Sequence, residues 1–267
     1  MSNFILSNDN NVVKSIARKN IPASYVGPVI SISDGNKKLK STNGQYNENG
    51  EYIPSTKWLI FNTLAVVTCP FRTAMCGGYL RGEKRFEYDE KTGKMIDKQA
   101  ACYAVKAEKA YPTVIPARRD NLRASLLPEF VDMMTAIILR TAKNMKKERL
   151  IVRIHESGDF YNKRYAEQWL QIARNVAHDV RIVFWCYTKS FIFFDGVELP
   201  ENFRLRASVW ADTAPEQLEI IRRNNWPIYT VYENELPAGY TECFCKDCGN
   251  CNQCGDMGIK SIACKKH

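Results

Sequence analysis

The sequence predicts an α/β fold whose parallel sheet, a partial (β/α) barrel or an open sheet, carries its functional residues along one rim. Three observations lead there. Strand and helix patterns alternate through residues 150–232, the strands run out into polar residues, and cysteines gather at 69–102 and again at the C-terminus. Alternation of this kind favours a parallel sheet with right-handed crossovers, and such sheets hold ligands at the carboxyl ends of their strands.

Along the chain, residues 1–56 are polar and turn-rich, with Ser33-Asp34-Gly35-Asn36, Asn43-Gly44 and Asn47-Glu48-Asn49-Gly50, and read as an arm or loose hairpins. A β-rich run from Trp58 to Thr68 ends at Cys69-Pro70, and residues 79–99 read as a charged hairpin. A short helix is expected from Cys102-Tyr103-Ala104. A long one is expected from about Ser125, with Pro128 in its first turn and Leu127, Phe130, Val131, Met134, Ile138, Thr141 and Met145 on one face. Then come a strand over Leu150–Ile154, a helix over Asn162–Ala177, strands over Arg181–Tyr187 and Arg204–Val209, a helix opened by a capping box at Thr213-Ala214-Pro215-Glu216, and a strand over Pro227–Tyr232. The expected division is an arm over 1–56, an α/β domain over 57–236 and a small Cys-rich metal-binding tail over 237–267.

No apolar run approaches the ~20 residues that cross a bilayer. The first residues, Met1-Ser2-Asn3-Phe4, lack the pattern of a signal peptide. The expected location is therefore the cytoplasm, where thiols stay reduced and clustered cysteines read as metal ligands rather than disulfides. Thirty-eight Lys and Arg stand against 29 Asp and Glu, a net charge of +9. That balance favours a polyanionic partner such as DNA or RNA, but selects none.

The rim residues are the candidate site. After successive strands come His155-Glu156-Ser157-Gly158-Asp159, Tyr187-Thr188-Lys189, Ser208-Val209-Trp210-Ala211-Asp212 and Glu233-Asn234. His155, Asp159 and Lys189 are the candidates for acid–base chemistry; Ser157, Tyr187, Asp212 and Glu233 are the candidates for holding a cofactor. Asp159 has a second reading as the cap of the helix near Asn162, and Lys189 as a solvated rim charge.

Ten cysteines divide into two sets and one core thiol, Cys186. Cys69, Cys76 and Cys102 suit a [4Fe–4S] cluster with one open iron, or a catalytic zinc with three protein ligands. In the tail, Cys243, Cys245, Cys248, Cys251, Cys254 and Cys264 include three successive C-x2-C steps. These resemble a ferredoxin run, while Cys251, Cys254, Cys264 and His267 have the ligand types of a zinc knuckle. Cys245, Cys248, Cys251, Cys254 and Cys264 are the expected tail ligands.

Together, Cys-Pro … Cys … Cys-Tyr-Ala, the His155 to Phe160 loop, Tyr187-Thr188-Lys189 and the cysteine tail ending Lys-Lys-His resemble the bacteriophage gene-product-88-like family over most of residues 58–267. The resemblance implies a phage or mobile-element origin, hence a bacterial host cell, and no settled activity. A more distant likeness is to radical S-adenosylmethionine enzymes, partial barrels in which three cysteines hold a [4Fe–4S] cluster and the open iron binds S-adenosylmethionine. Cys69, Cys76 and Cys102 would correspond, with longer gaps of six and twenty-five residues. The expected function is an iron–sulfur enzyme of that kind with one or two clusters, with nucleic acid as a candidate substrate. The alternative is a nucleic-acid-binding or regulatory protein with structural zinc or iron–sulfur sites.

Overall fold

A computed structural model of the chain describes residues 29–36, 38–47, 50–73, 76, 86–90, 93–97, 102–243 and 247–265. Its strands are β1 (Ile32–Ser33), β2 (Gln45–Tyr46), β3 (Tyr52–Ile53), β4 (Thr56–Phe61), β5 (Phe86–Asp89), β6 (Lys94–Asp97), β7 (Arg149–Ile154), β8 (Ile182–Thr188), β9 (Phe203–Val209), β10 (Ile228–Tyr232), β11 (Thr241–Glu242) and β12 (Ser261–Lys265). Its α-helices are α1 (Tyr103–Ala110), α2 (Val114–Ser125), α3 (Phe130–Asn144), α4 (Lys163–Asn175), α5 (Pro215–Arg223) and the single turn α6 (Cys248–Cys251).

One eight-stranded sheet, in the order β1-β4-β7-β8-β9-β10-β12-β11, organises the molecule. Every pairing in it is parallel except that of β1 with β4. The sheet is large, mostly parallel and not closed into a barrel, since β1 and β11 form its two edges. The 237–267 segment contributes two of its strands: β12 pairs with β10 from Ile228↔Ser261 to Tyr232↔Lys265, and β11 lies outside it. Gln45–Tyr46 with Tyr52–Ile53, and Phe86–Asp89 with Lys94–Asp97, form two small antiparallel hairpins.

Alternation along the strands sorts side chains between two faces. Leu59 and Phe61, Leu150, Val152 and Ile154, Ile182 and Phe184, and Phe203 and Leu205 face the helices and join the main core with Phe130, Met134, Ile138, Tyr165 and Trp169. Helix α4 shows why it docks there. Tyr165, Ala166, Trp169, Leu170, Ile172 and Ala173 fall at helical spacing and are buried, each large one contributing roughly 1.5–3 kcal/mol of burial. The Asn162 side chain accepts a hydrogen bond from Tyr165 N at 2.8 Å and opens the helix.

On the other face, Trp58, Ile60, Ile151 and Trp185 form a second core with Leu39, Cys248 and Cys254. The Cys-rich loop thus lies on the sheet. A Cβ at Gly255 would stand 2.2 Å from the Trp185 ring, so only glycine permits this approach.

Two local expectations are corrected. The long helix expected from about Ser125 starts instead at Phe130, as α3; Ser125 ends the preceding helix α2, and Pro128 falls in the break between them, because proline lacks an N–H and disfavours helix in the residue before it. The capping box at Thr213 does not form. Ala214 precedes Pro215 at the helix start, and the Thr213 hydroxyl instead accepts from Trp210 N at 2.9 Å. No helix of the described residues is long and apolar enough to cross a membrane.

Candidate functional site

A cavity of about 200 Å³ opens at the carboxyl ends of β7, β8 and β9. Cys69, Cys76 and Cys102 line it with His155, Ser157, Asp159, Tyr187 and Lys189, all singled out in the sequence. Arg72, Tyr103, Arg153, Glu156, Ser208 and Trp210 complete the wall. Asp212 and Glu233 are exposed and do not line the cavity, although Asp212 acts electrostatically on Lys189.

Two loops build the floor, one following β4 and the other β7. Asn62 Oδ1 accepts from the backbone N–H of Glu156 and Ser157 at 2.7 and 3.0 Å. Ser157 O accepts from Thr63 N, Ser157 Oγ donates to Thr63 O, and Thr68 O accepts from Asp159 N. Ser157 therefore holds the two loops together through bonds that are all internal. Gly158, at φ +84°, lies where a Cβ would come within 2.0 Å of the Thr63 hydroxyl and 2.5 Å of that of Thr68. Val66, at φ +66°, takes a conformation that costs a β-branched residue about 1–2 kcal/mol, and its carbonyl accepts from Cys69 N at 3.1 Å. Strain held beside a candidate ligand fits a functional turn.

Asp159 is not the helix cap; Asn162 takes that place. Its buried carboxylate accepts from Thr188 Oγ1 at 2.5 Å, Lys189 N at 2.9 Å and Phe160 N at 2.8 Å, tying the β7 rim to the β8 rim. Burial pushes its pKa up while these hydrogen bonds hold it down. Lys189 reaches across to Ser208 O at 3.2 Å, its ammonium 4.7 Å from the Trp210 ring centroid. Burial lowers its pKa, and Cys76, Asp159 and Asp212 raise it.

His155 follows directly on β7 in the left-handed region, at φ +62°. Strand alternation alone would put it beside Ile151 and Arg153. The twist turns it instead toward the helices, where it packs edge-on to Phe160 and its Nε2 meets the Tyr165 hydroxyl at 2.9 Å. Burial, with Arg153 adding, pushes the imidazole down to about 3, so it is neutral at physiological pH rather than a titrating acid–base group. In the unfolded chain a histidine takes a proton near pH 6.5. Folding stability from this group is accordingly complete above that pH and falls by about 1.4 kcal/mol per unit as pH drops toward ~3. We expect His155→Gln to flatten the acid limb of stability against pH relative to wild type, measured by urea unfolding; parallel limbs would refute this.

Burial, then Asp159, then Cys102 and Cys76 push the Cys69 thiol up to about 12. In the tail, Cys243 and Cys251 both act electrostatically on Cys248 and Cys254, and Cys254 acts on Cys248, while Cys264 and Cys243 act on Tyr229. Cys245 and His267 lie outside the described residues. Tyr187 joins the two regions. Its ring carries the Arg153 guanidinium at 4.1 Å, and its hydroxyl is hydrogen-bonded to Cys254. Among the described residues, no group of three or more His, Cys, Asp or Glu side chains is arranged to hold a metal ion. Cys186 is the buried core thiol expected.

Arg153 and Arg206 escaped the sequence reading as site residues. Arg153 stands as a lone charge in Leu-Ile-Val-Arg-Ile, and Arg206 is the second of two arginines alternating with apolar residues in Phe-Arg-Leu-Arg-Ala.

An open, mostly parallel α/β sheet with a thiol-lined pocket at its strand ends is the class of protein that this geometry defines. The chain belongs to the Gene product 88 family, whose model matches residues 30–259. It is 31% identical over 126 residues to the Gene 88 protein of Mycobacterium phage D29, a match covering 45% of this chain and 50% of that one. The chain thus spans about half the length of that relative. No solved structure matches it.

Proposed function

We propose that this phage-family chain is an iron–sulfur enzyme, with a [4Fe–4S] cluster held by Cys69, Cys76 and Cys102 and its reaction centred in the strand-end cavity, in the manner of the partial-barrel radical S-adenosylmethionine enzymes. One observation carries the reading: thiols from three separated segments line the same cavity as His155, Asp159 and Lys189. The donor set fits the group. Around a single zinc, thiolates crowd to about 3.8 Å of one another, from Zn–S bonds of ~2.3 Å in a tetrahedron. Thiols drawn from three separated segments to one cavity also suit a larger cluster. Such a cluster on three thiolates keeps one iron open to an exogenous ligand. The chain's own residues supply the rest: Asp159 fixes the Lys189 backbone, and Tyr187 and Trp210 wall the cavity.

The tail supports a second metal site, auxiliary or structural, on thiols from among Cys243, Cys245, Cys248, Cys251, Cys254 and Cys264. The convergence of Cys243 and Cys251 on Cys248 and Cys254 and the net charge of +9 favour the second reading, a nucleic-acid-binding protein with structural zinc or iron–sulfur sites. Iron, acid-labile sulfide and zinc per chain, measured on anaerobically purified protein, separate the two. We expect Cys76→Ala to lose the iron of the cavity and Cys251→Ala to lose metal from the tail alone. Wild-type protein without iron, or without S-adenosylmethionine cleavage on reduction, would end the enzyme reading. Salt-dependent retention of DNA or RNA by that same protein would favour the second.

A further inference from the structure

Among the described residues, the buried arginines are satisfied, with one exception. Arg118 pairs with Glu108 at 2.9 Å and donates to Ala104 O at 3.0 Å, and Arg206 donates to four carbonyls. Arg153 lies within β7, 9% exposed, and its Nη1 is buried with no hydrogen-bond partner. Its guanidinium rests on the Tyr187 ring, but a ring face engages the charge and leaves the N–H donors of the guanidinium edge unused. A buried cation with no hydrogen-bonded anion is costly; among the described residues no carboxylate bonds to this Nη1, and Arg153 lines the cavity.

Its surroundings point the same way. Asp159 also lines the cavity, but its carboxylate is committed to Thr188, Phe160 and the Lys189 backbone. Glu156 accepts from Asn36 and, although within electrostatic range of Arg153, does not bond to Nη1. Lys189 brings a second cation, and His155 Nδ1 is a second buried polar atom with no partner. Tyr187 and Trp210 add aromatic walls.

We infer that Arg153 anchors an oxyanion, the phosphate or carboxylate of a small ligand, whose body lies between the aromatic walls and the cysteines. The guanidinium fork matches the paired oxygens of either group. The inference names the ligand class for the cavity read above as the active site; it rests on that reading of the cavity and not on the metal.

Thermal unfolding of the full chain in inorganic phosphate, acetate or chloride at equal ionic strength tests it, because a ligand of the folded state raises the midpoint by mass action. Phosphate or acetate is expected to stabilise wild type beyond chloride, and whichever acts more strongly identifies the group. Arg153→Gln is expected to weaken that response about tenfold or more, and Arg153→Lys to weaken it less. Arg119→Gln, which removes an equal charge from the exposed surface of α2, should leave it intact. If Arg153→Gln does not fold, the comparison of Arg153→Lys with wild type decides. Equal responses in wild type and the Arg153 variants, or no response of wild type beyond chloride, would overturn the inference. Iron content of the same samples keeps the two readings apart: a variant that keeps iron and loses the anion response bears on the anion site alone. Iron-free wild type with an Arg153-dependent response would overturn the cluster and leave the anion site standing.

Discussion

Replacing Arg206 by methionine is expected to lower the unfolding free energy by about 3–5 kcal/mol, a large share of the ~5–15 kcal/mol that stabilises a domain. Arg206 is 1% exposed. Its guanidinium donates to the carbonyls of Cys254 at 2.9 Å, Ile259 at 2.7 Å, Gln253 at 3.1 Å and Asp256 at 2.5 Å. Methionine keeps much of the volume but removes four charge-assisted hydrogen bonds to partly buried carbonyls, each worth about 1.5–3 kcal/mol before water replaces part of it. The consequence reaches beyond the residue, because these bonds clasp the Cys-rich loop against the sheet. Urea unfolding measures the loss, and limited proteolysis should cut the variant first near residues 253–259. A stability within ~0.5 kcal/mol of wild type, the range of an ordinary surface substitution, would mean that packing on Trp185 alone holds the tail.

Gly158→Ala should cost about 3 kcal/mol, combining a left-handed backbone that alanine resists with a collision that the site cannot relieve cheaply. The added methyl would meet the Thr63 and Thr68 hydroxyls, which are bonded to each other at 2.9 Å, and then the Thr63 Cβ at 3.1 Å. Relief requires the loop after β4 to part from the loop after β7, and Cys69 follows directly on Thr68. If the proposed cluster is held by Cys69, Cys76 and Cys102, the variant should lose iron along with stability. Gly158→Ala protein of wild-type stability and metal content would show that the loops yield without disturbing the cavity.

Both substitutions locate the boundary between what a sequence can display and what folding adds. The His155 to Phe160 stretch was legible as a rim loop because it follows an apolar strand and precedes a helix. Its chemistry was less legible. Ser157 and Gly158 serve to join two loops, Asp159 braces the β8 rim, and His155 is turned by a positive φ into an aromatic pocket that keeps it neutral. Arg153 was overlooked because a charge in an apolar strand gains meaning only when the face it occupies is known.

By itself, the sequence determined the alternation of strands and helices from Leu150 to Tyr232, the parallel sheet it implies, the rim on which His155, Asp159 and Lys189 stand, and the family motifs. These follow from short-range periodicity, which the backbone of each segment obeys locally. Only the tertiary structure decided that the sheet stays open, that the C-terminal strand Ser261–Lys265 enters it between β10 and β11, and that Cys69, Cys76 and Cys102 share a cavity with Arg153, whose buried Nη1 has no hydrogen-bond partner. Those outcomes depend on pairings between segments far apart in the chain. Which strand edge is vacant, and which buried donor is left without an acceptor, is set by the whole packed molecule rather than by any one stretch of residues.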